Sequence, residues 1–190
     1  MKRSLMGLGL VLLLAACANL GREGGSAATP PVGVDGQACA GRAPQAVPGL
    51  SPSSQPVLQR QVQLPSGKGG VCDAQVFAVS AQPIKLYRVF DASKPYTKFG
   101  GWWSLERPAG SKDSYRAANA ICPEWSPLDR LAVCEVHPGT QLVIGSTQSA
   151  SCADGSTFPK TAAQQVFVPN NGRIGIVHVG ACTEEAIWAP

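Results

Sequence analysis

Seven cysteines behind an export leader restrict this chain more than any other feature of its sequence. Residues 1–20 read MKRSLMGLGLVLLLAACANL, with a charged start at Lys2 and Arg3, an apolar run from Leu5 to Leu14, and small residues after it. That run is too short to span a bilayer as a stable helix and fits a secretory signal. Cys17 falls at the end of the leader. Six cysteines remain for the exported part: Cys39, Cys72, Cys122, Cys134, Cys152 and Cys182. An even number in an exported chain reads as three disulfides, each adding roughly 2–4 kcal/mol. Six cysteines permit many pairings, and sequence alone does not choose. The pairing expected here is Cys39–Cys72, Cys122–Cys134 and Cys152–Cys182. A metal site is not expected, because the chain has no C-x-x-C pair and only two histidines, His137 and His178.

The end of the leader, Leu14-Ala15-Ala16-Cys17, resembles the bacterial lipobox. That resemblance implies cleavage before Cys17, diacylglycerol on its sulfur, and residues 1–16 as the signal peptide. Ala18 in place of Asp then favours the outer membrane, facing the periplasm or the surface. The alternative is ordinary cleavage after Ala18, because Ala16-Cys17-Ala18 also fits A-x-A. That would release a secreted protein.

The chain carries 16 basic and 12 acidic residues, and losing Lys2 and Arg3 with the leader lowers the net charge from +4 to +2. No basic stripe interleaved with aromatics is visible, so nucleic acid is not an expected partner. Residues 17–70 read as a flexible linker from the anchor. Of the 51 residues from 20 to 70, 22 are Gly, Pro or Ser, and no apolar periodicity shows. Such composition buries too little surface to offset its ordering entropy. A Cys39–Cys72 disulfide would staple part of that tether to the domain that follows.

Residues 71–190 then form one domain of mostly strand texture. The strand candidates are Val76–Ser80, Ile84–Phe90, Gly101–Leu105, Leu131–His137, Gln141–Gly145, Gln164–Val168 and Arg173–Val179. Asn171-Gly172 signals a hairpin between the last two. One helix is expected, Lys112–Ile121, with Ser111 as N-cap, Asp113 in its first turn, and Pro123 preventing its extension. The fold class is α+β, with mostly antiparallel sheet, one short helix and three disulfide staples.

Several side chains have chemistry to explain. Alternation along Ile84–Phe90 puts Ile84, Leu86, Arg88 and Phe90 on one face. A guanidinium among apolar neighbours is costly to bury alone, so Arg88 needs a carboxylate such as Glu135 or Asp129, or an anionic ligand. In Trp102-Trp103-Ser104 the first and third residues share a face, and an aromatic platform beside a hydroxyl suits a flat ring with an amide or ribose. A core tryptophan and a rim tryptophan are the plainer reading. Gln164 and Gln165 lie on opposite faces of an apolar strand, and each must satisfy both ends of its amide. His178 shares the expected last strand with Ile174 and Ile176 and reads as a half-buried structural residue. Neither Gly145–Ser149 nor Ser66–Gly70 has the spacing of a nucleophile elbow or a P-loop.

Taken in order, Leu86-Tyr87-Arg88-Val89, Gly100-Gly101-Trp102-Trp103-Ser104-Leu105, a short helix, a strand pair with Pro138-Gly139 between, and Gln164-Gln165-Val166-Phe167-Val168-Pro169 resemble the ADP-ribosyltransferase-like fold. The run Gly139-Thr140 to Gly145 followed by Ala163–Pro169 is most similar to the tuberculosis-necrotising-toxin type of NAD glycohydrolases. The resemblance covers about residues 84–170. It implies an arginine strand, a serine strand and a Glu or Gln strand surrounding NAD. Arg88 would bind the pyrophosphate or position the ribose. Ser104, with Trp102 and Trp103, would hold the nicotinamide-ribose side. Gln165 would hydrogen-bond the ribose hydroxyls as the glycosidic bond breaks. NAD or NADP would be substrate, with no resident cofactor. The chain departs from the family in lacking the usual Glu near the third motif and in carrying Trp-Trp-Ser where Ser-Thr-Ser is usual. A glutamine orients but is no base, which favours water over a protein side chain as acceptor. The alternative is a non-enzymatic envelope lipoprotein, a binding or scaffolding module with room for a protein partner.

Overall fold

The computed structural model describes residues 29–188, so the leader and Cys17 lie outside the described residues. In chain order the elements are β1 (Leu50–Pro52), α1 (Pro56–Val62), β2 (Val71–Val79), β3 (Ile84–Phe90), a 3-10 turn (Pro95–Phe99), β4 (Trp102–Trp103), α2 (Lys112–Ala118), a second 3-10 turn (Pro123–Trp125), β5 (Arg130–Val136), β6 (Gln141–Thr147), β7 (Ala150–Ser151), β8 (Thr157–Phe158), β9 (Gln164–Phe167) and β10 (Val179–Ala186). The strands form a five-stranded sheet ordered β1-β2-β6-β9-β4, a three-stranded sheet ordered β10-β5-β3, and the β7-β8 pair. Every strand pairing is antiparallel. Among the described residues the architecture is therefore mostly antiparallel sheet with two short helices and three disulfides.

The two larger sheets meet where β3 runs beside the end of β4. Tyr87 and Ser104 exchange both backbone hydrogen bonds there, at 3.0 and 2.8 Å. Alternating apolar residues from both sheets fill the space between them. Phe77, Leu142, Ile144 and Val166 from the larger sheet pack with Leu86, Phe90, Ala132 and Val136 from the smaller. The alternation in Ile84–Phe90 selects the strand in its expected bounds, and Leu86 and Phe90 are both buried.

The segment read as a tether contributes structure from its middle onward. Pro56 opens α1, and Leu58 and Val62, four residues apart, bury one face of it against Val71, Val76, Val143 and Phe167. Gln59 and Gln63 donate side-chain hydrogen bonds to the carbonyls of Ala74 and Cys72 on β2. Upstream, Ala43 N–H donates to Asp73, and Asp35 forms a largely buried ion pair with Lys160 at 3.0 Å. The Ser66 hydroxyl, the Gln37 amide and Lys160 hold the Asp35 carboxyl well below the usual carboxylate range. Polar contacts and a disulfide thus do here what apolar burial does elsewhere, which is why composition suggested disorder.

α2 keeps its predicted start. Ser111 Oγ accepts from Ser114 N–H at 3.1 Å, and Asp113 lies in the first turn. Ser111→Ala is expected to lower stability by about 1 kcal/mol, read as a fall in Tm with an unchanged folded spectrum.

Two further expectations, on the disulfides and the last hairpin, fail. Cys39–Cys72 forms as expected, but the other bonds are Cys122–Cys152 and Cys134–Cys182. The cause is tertiary. β5 carries Cys134 and pairs with β10, which carries Cys182, and a register shift between Gly180 and Thr183 accommodates the bridge. Cys122 instead packs with Ala120, Ala150 and Cys152 beside β7. The Asn171-Gly172 hairpin does not form either. Residues 171–176 close a short loop through the Asn171–Ile176 bridge, leaving Ile174 and Ile176 exposed. Gly172 packs so closely on Tyr96 O that a side chain there would meet it at 2.3 Å. The strand starts only at Val179 and pairs with β5 rather than β9, so His178 shares no strand face with the two isoleucines.

Candidate functional site

Three adjacent strands carry the three motif side chains. β3 supplies Arg88, the end of β4 supplies Ser104, and β9 supplies Gln165. β3 bridges β4 at Tyr87–Ser104, and β4 pairs with β9 through Trp102–Phe167 and Trp103–Val166. Arg88, Ser104 and Gln165 line one cavity of about 160 Å³, together with Trp102, Trp103 and Tyr115. Residues separated by up to 77 positions are brought together by strand adjacency.

Arg88 is held from two sides. Its Nε donates to Thr97 O at 2.6 Å and its Nη1 to Trp102 O at 2.5 Å. Neither Glu135 nor Asp129 pairs with it. Glu135 lies opposite Lys85 across β3 and β5, and Asp129 accepts from Ala92 N–H. Carbonyl oxygens solvate the guanidinium without neutralising it, and burial lowers its pKa to about 10. Among the described residues no carboxylate forms an ion pair with Arg88.

The Gly100-Gly101 pair in front of the tryptophans has a packing cause. A side chain at Gly100 would meet Arg88 Nη2 at 2.2 Å, and one at Gly101 would meet the Phe167 ring at 2.5 Å. The two glycines let the loop after the first 3-10 turn close over the arginine and the ring.

The tryptophans divide as the plainer reading has it. Trp103 is 2% exposed, belongs to the core between the sheets, and donates its indole N–H to Gly100 O at 2.8 Å. Trp102 packs edge-on against Phe167 with ring centroids 5.1 Å apart. Both border the cavity, but a core tryptophan does not offer a free stacking face.

Ser104 is buried, and its Oγ lies 3.1 Å from the Tyr115 hydroxyl. Burial raises the Tyr115 pKa, while Ser104 and the nearby Arg88 charge oppose the shift, so the phenol stays protonated at neutral pH. Gln165 is buried and points its amide N–H groups at Asn119 O, 2.9 Å away, and Thr147 Oγ1, 3.0 Å away. With the donors used, its carbonyl oxygen is the end left for a ligand. Gln164, on the other face, is tied to Arg42 O and Ala162 O and does not border the cavity.

Tyr115, Asn119 and Trp125 complete the wall, and sequence reasoning singled out none of them. Tyr115 and Asn119 stand four residues apart, on one face of α2 and its C-cap, where Asn119 donates its side-chain amide to Tyr115 O. That spacing was a usable signal. Trp125 is 51% exposed at the rim, with its ring edge against Gly69. Among the described residues, Cys122, Glu124 and Cys152 group as metal-ligand types. The two thiols are joined as a disulfide and the carboxylate accepts from Ala153 N–H, so the group offers no ligand set.

Comparison of the chain with protein-family models, with curated proteins and with solved structures gave no match. The functional reading therefore stands on the cavity itself.

Proposed function

We propose that this is an exported, lipid-anchored domain that consumes NAD or NADP, cleaving the nicotinamide–ribose bond with water to give nicotinamide, an ADP-ribose product and a proton. The observation that carries this reading is the meeting of Arg88, Ser104 and Gln165 around one cavity. The resemblance to the ADP-ribosyltransferase-like fold requires three such strands to surround one ligand, and β3, β4 and β9 are neighbours.

The chemistry follows from the groups present. Breaking the glycosidic bond builds positive charge on the ribose and returns electrons to the nicotinamide nitrogen. Polar groups already aimed at the site favour that change without reorganising. The free carbonyl of Gln165 accepts from a ribose hydroxyl and faces the developing cation. Ser104 and Tyr115 supply hydroxyls on the other side. Among the described residues no carboxylate lines the cavity, and a glutamine is no base, so water is the proposed acceptor. At about 160 Å³ the cavity is smaller than the roughly 300–1,000 Å³ usual for drug-sized ligands. It takes a single flat ring, and the rest of the dinucleotide extends beyond it.

The test is release of fluorescence from etheno-NAD by the oxidised chain from residue 29 onward. Gln165→Ala is expected to lower the rate about 100-fold, in the range of removing one well-placed polar group from a transition state. No turnover by the wild type at high protein concentration would refute the activity. One observation favours a second reading, a binding module without catalysis: the guanidinium of Arg88 is tied to two backbone carbonyls, as a structural strap would be. Stabilisation by NAD in a thermal shift, with no nicotinamide released, would identify that case. The anchor at Cys17 and the outer membrane remain part of the proposal, tested by palmitate labelling of the wild type and its loss in Cys17→Ser.

A further inference from the structure

Arg88 also forms the wall of a second hollow. This hollow has a volume of about 220 Å³ and is lined by Arg88, Tyr96, Thr97, Asn170, Asn171 and Arg173, with no carboxylate among its lining residues. Arg173 stands at its edge with its guanidinium 4.1 Å over the Tyr96 ring, so the cation is held in place by a flat face and not by a counter-charge. The loop that carries it is fixed on the first 3-10 turn. Gly172 N–H donates to Phe99 O, Asn170 Nδ2 reaches toward Gly100 O at 3.4 Å, and Asn170 Oδ1 accepts from His178 N–H. Asn171 holds the turn through Arg173 N–H and Ile176 N–H. The failed hairpin thus has a consequence. It places an arginine across from Arg88 where a continued strand would have carried it away.

We propose that this second hollow is a phosphate subsite, in which Arg173 and Arg88 together bind a phosphate group of the ligand whose ring fills the first cavity. Two guanidinium groups lining one hollow, with no acidic side chain among its described lining residues, call for a group of more than one negative charge, and planar guanidinium forks match phosphate oxygens. Arg88 has one nitrogen, Nη2, with no hydrogen bond to the described protein, and its side chain lines both hollows. The identity of the ligand as a dinucleotide rests on the function proposed above, but the phosphate subsite does not require turnover. In a dinucleotide the phosphate is either the bridging diphosphate or the 2′-phosphate of NADP.

Calorimetric titration of the oxidised, full exported chain with inorganic pyrophosphate tests the site. Saturable binding is expected for the wild type, weakened about tenfold by Arg173→Ala, partly kept by Arg173→Lys, and reduced by added salt. Arg173 is exposed, so these variants keep the fold. Lys85→Ala removes an exposed charge elsewhere on β3 and is expected to leave binding unchanged. No binding by the wild type, or equal loss in Lys85→Ala, would overturn the subsite. The two proposals fail separately. Pyrophosphate bound through Arg173 with no NAD turnover refutes the glycohydrolase and keeps this subsite. Turnover with KM and pyrophosphate binding both untouched by Arg173→Ala does the reverse. A KM raised for NADP alone assigns the 2′-phosphate to the hollow, and one raised for both substrates assigns the diphosphate.

Discussion

For the proposed NAD cleavage, Gly100→Ala is expected to lower kcat/KM for etheno-NAD by about 10²–10³-fold, as much as Arg88→Ala, although residue 100 carries no functional group. The backbone does not resist the change. Gly100 has φ −78° and ψ 176°, ordinary extended values for any residue. The resistance comes from Arg88, whose Nη2 and Cζ lie 2.2 and 2.6 Å from where the new methyl carbon would stand. A free arginine would swing aside. This one is pinned by Thr97 O and Trp102 O, so moving it breaks two charge-assisted hydrogen bonds. Overpacking of this kind costs about 1–3 kcal/mol. Denaturant unfolding should therefore show a lower midpoint for Gly100→Ala. The double variant Arg88→Ala/Gly100→Ala should be more stable than the sum of its single changes by about 0.5–3 kcal/mol, because the methyl then occupies the space the guanidinium vacated. A strictly additive cycle would mean that the two residues do not touch, and full activity in Gly100→Ala would remove Arg88 from the site.

The sequence singled out three residues that share one cavity, but not the contacts that hold them there. Arg88, Ser104 and Gln165 stood out because each is a polar residue beside bulky apolar neighbours in the sequence, and such residues need partners that a neighbouring strand or a ligand supplies. Their partners were not legible. Arg88 satisfies itself with backbone carbonyls at Thr97 and Trp102, which every residue possesses, so no carboxylate marks the pairing. Gln165 donates to Asn119 O for the same reason. Ile84–Phe90 showed its alternation because both of its ends pack on one core. α1 has only Leu58 and Val62 facing inward, too few for a periodicity to emerge beside its two glutamines. The stretch around Asn170–Ile176 misled for a different reason. Turn chemistry favoured a hairpin locally, but packing of Gly172 on Tyr96 and pairing of Val179–Ala186 with β5 prevailed.

Reduction of the three disulfides is expected to unfold the domain outright at 25 °C, with loss of near-ultraviolet dichroism and of any nucleotide binding. The bonds span 33, 30 and 48 positions. Loop-closure entropy at those lengths amounts to about 4 kcal/mol for each bond in the chain-entropy account. A domain of this size has a total stability of about 5–15 kcal/mol, so losing all three consumes most or all of it. The bonds are not interchangeable. Cys39–Cys72 fastens residues 29–49, where ordered backbone outnumbers buried apolar side chains, so Cys39→Ser/Cys72→Ser should loosen that segment first. Hydrogen exchange would show it as early exchange at the backbone N–H of position 39 and at Ala43 N–H while β6 stays protected. Cys134–Cys182 ties β5 to β10 within the smaller sheet, and β5 in turn pairs with β3, the strand that carries Arg88. Cys134→Ser/Cys182→Ser should therefore loosen the arginine side of the cavity and raise the ligand's Kd before the chain unfolds. Cys122–Cys152 fastens the end of α2 beside β7, on the Tyr115 and Asn119 side. The two bonds that sequence order mispaired are thus the two that brace opposite walls of the cavity, and a protein that kept its melting temperature under reductant would contradict this account of what holds the site together.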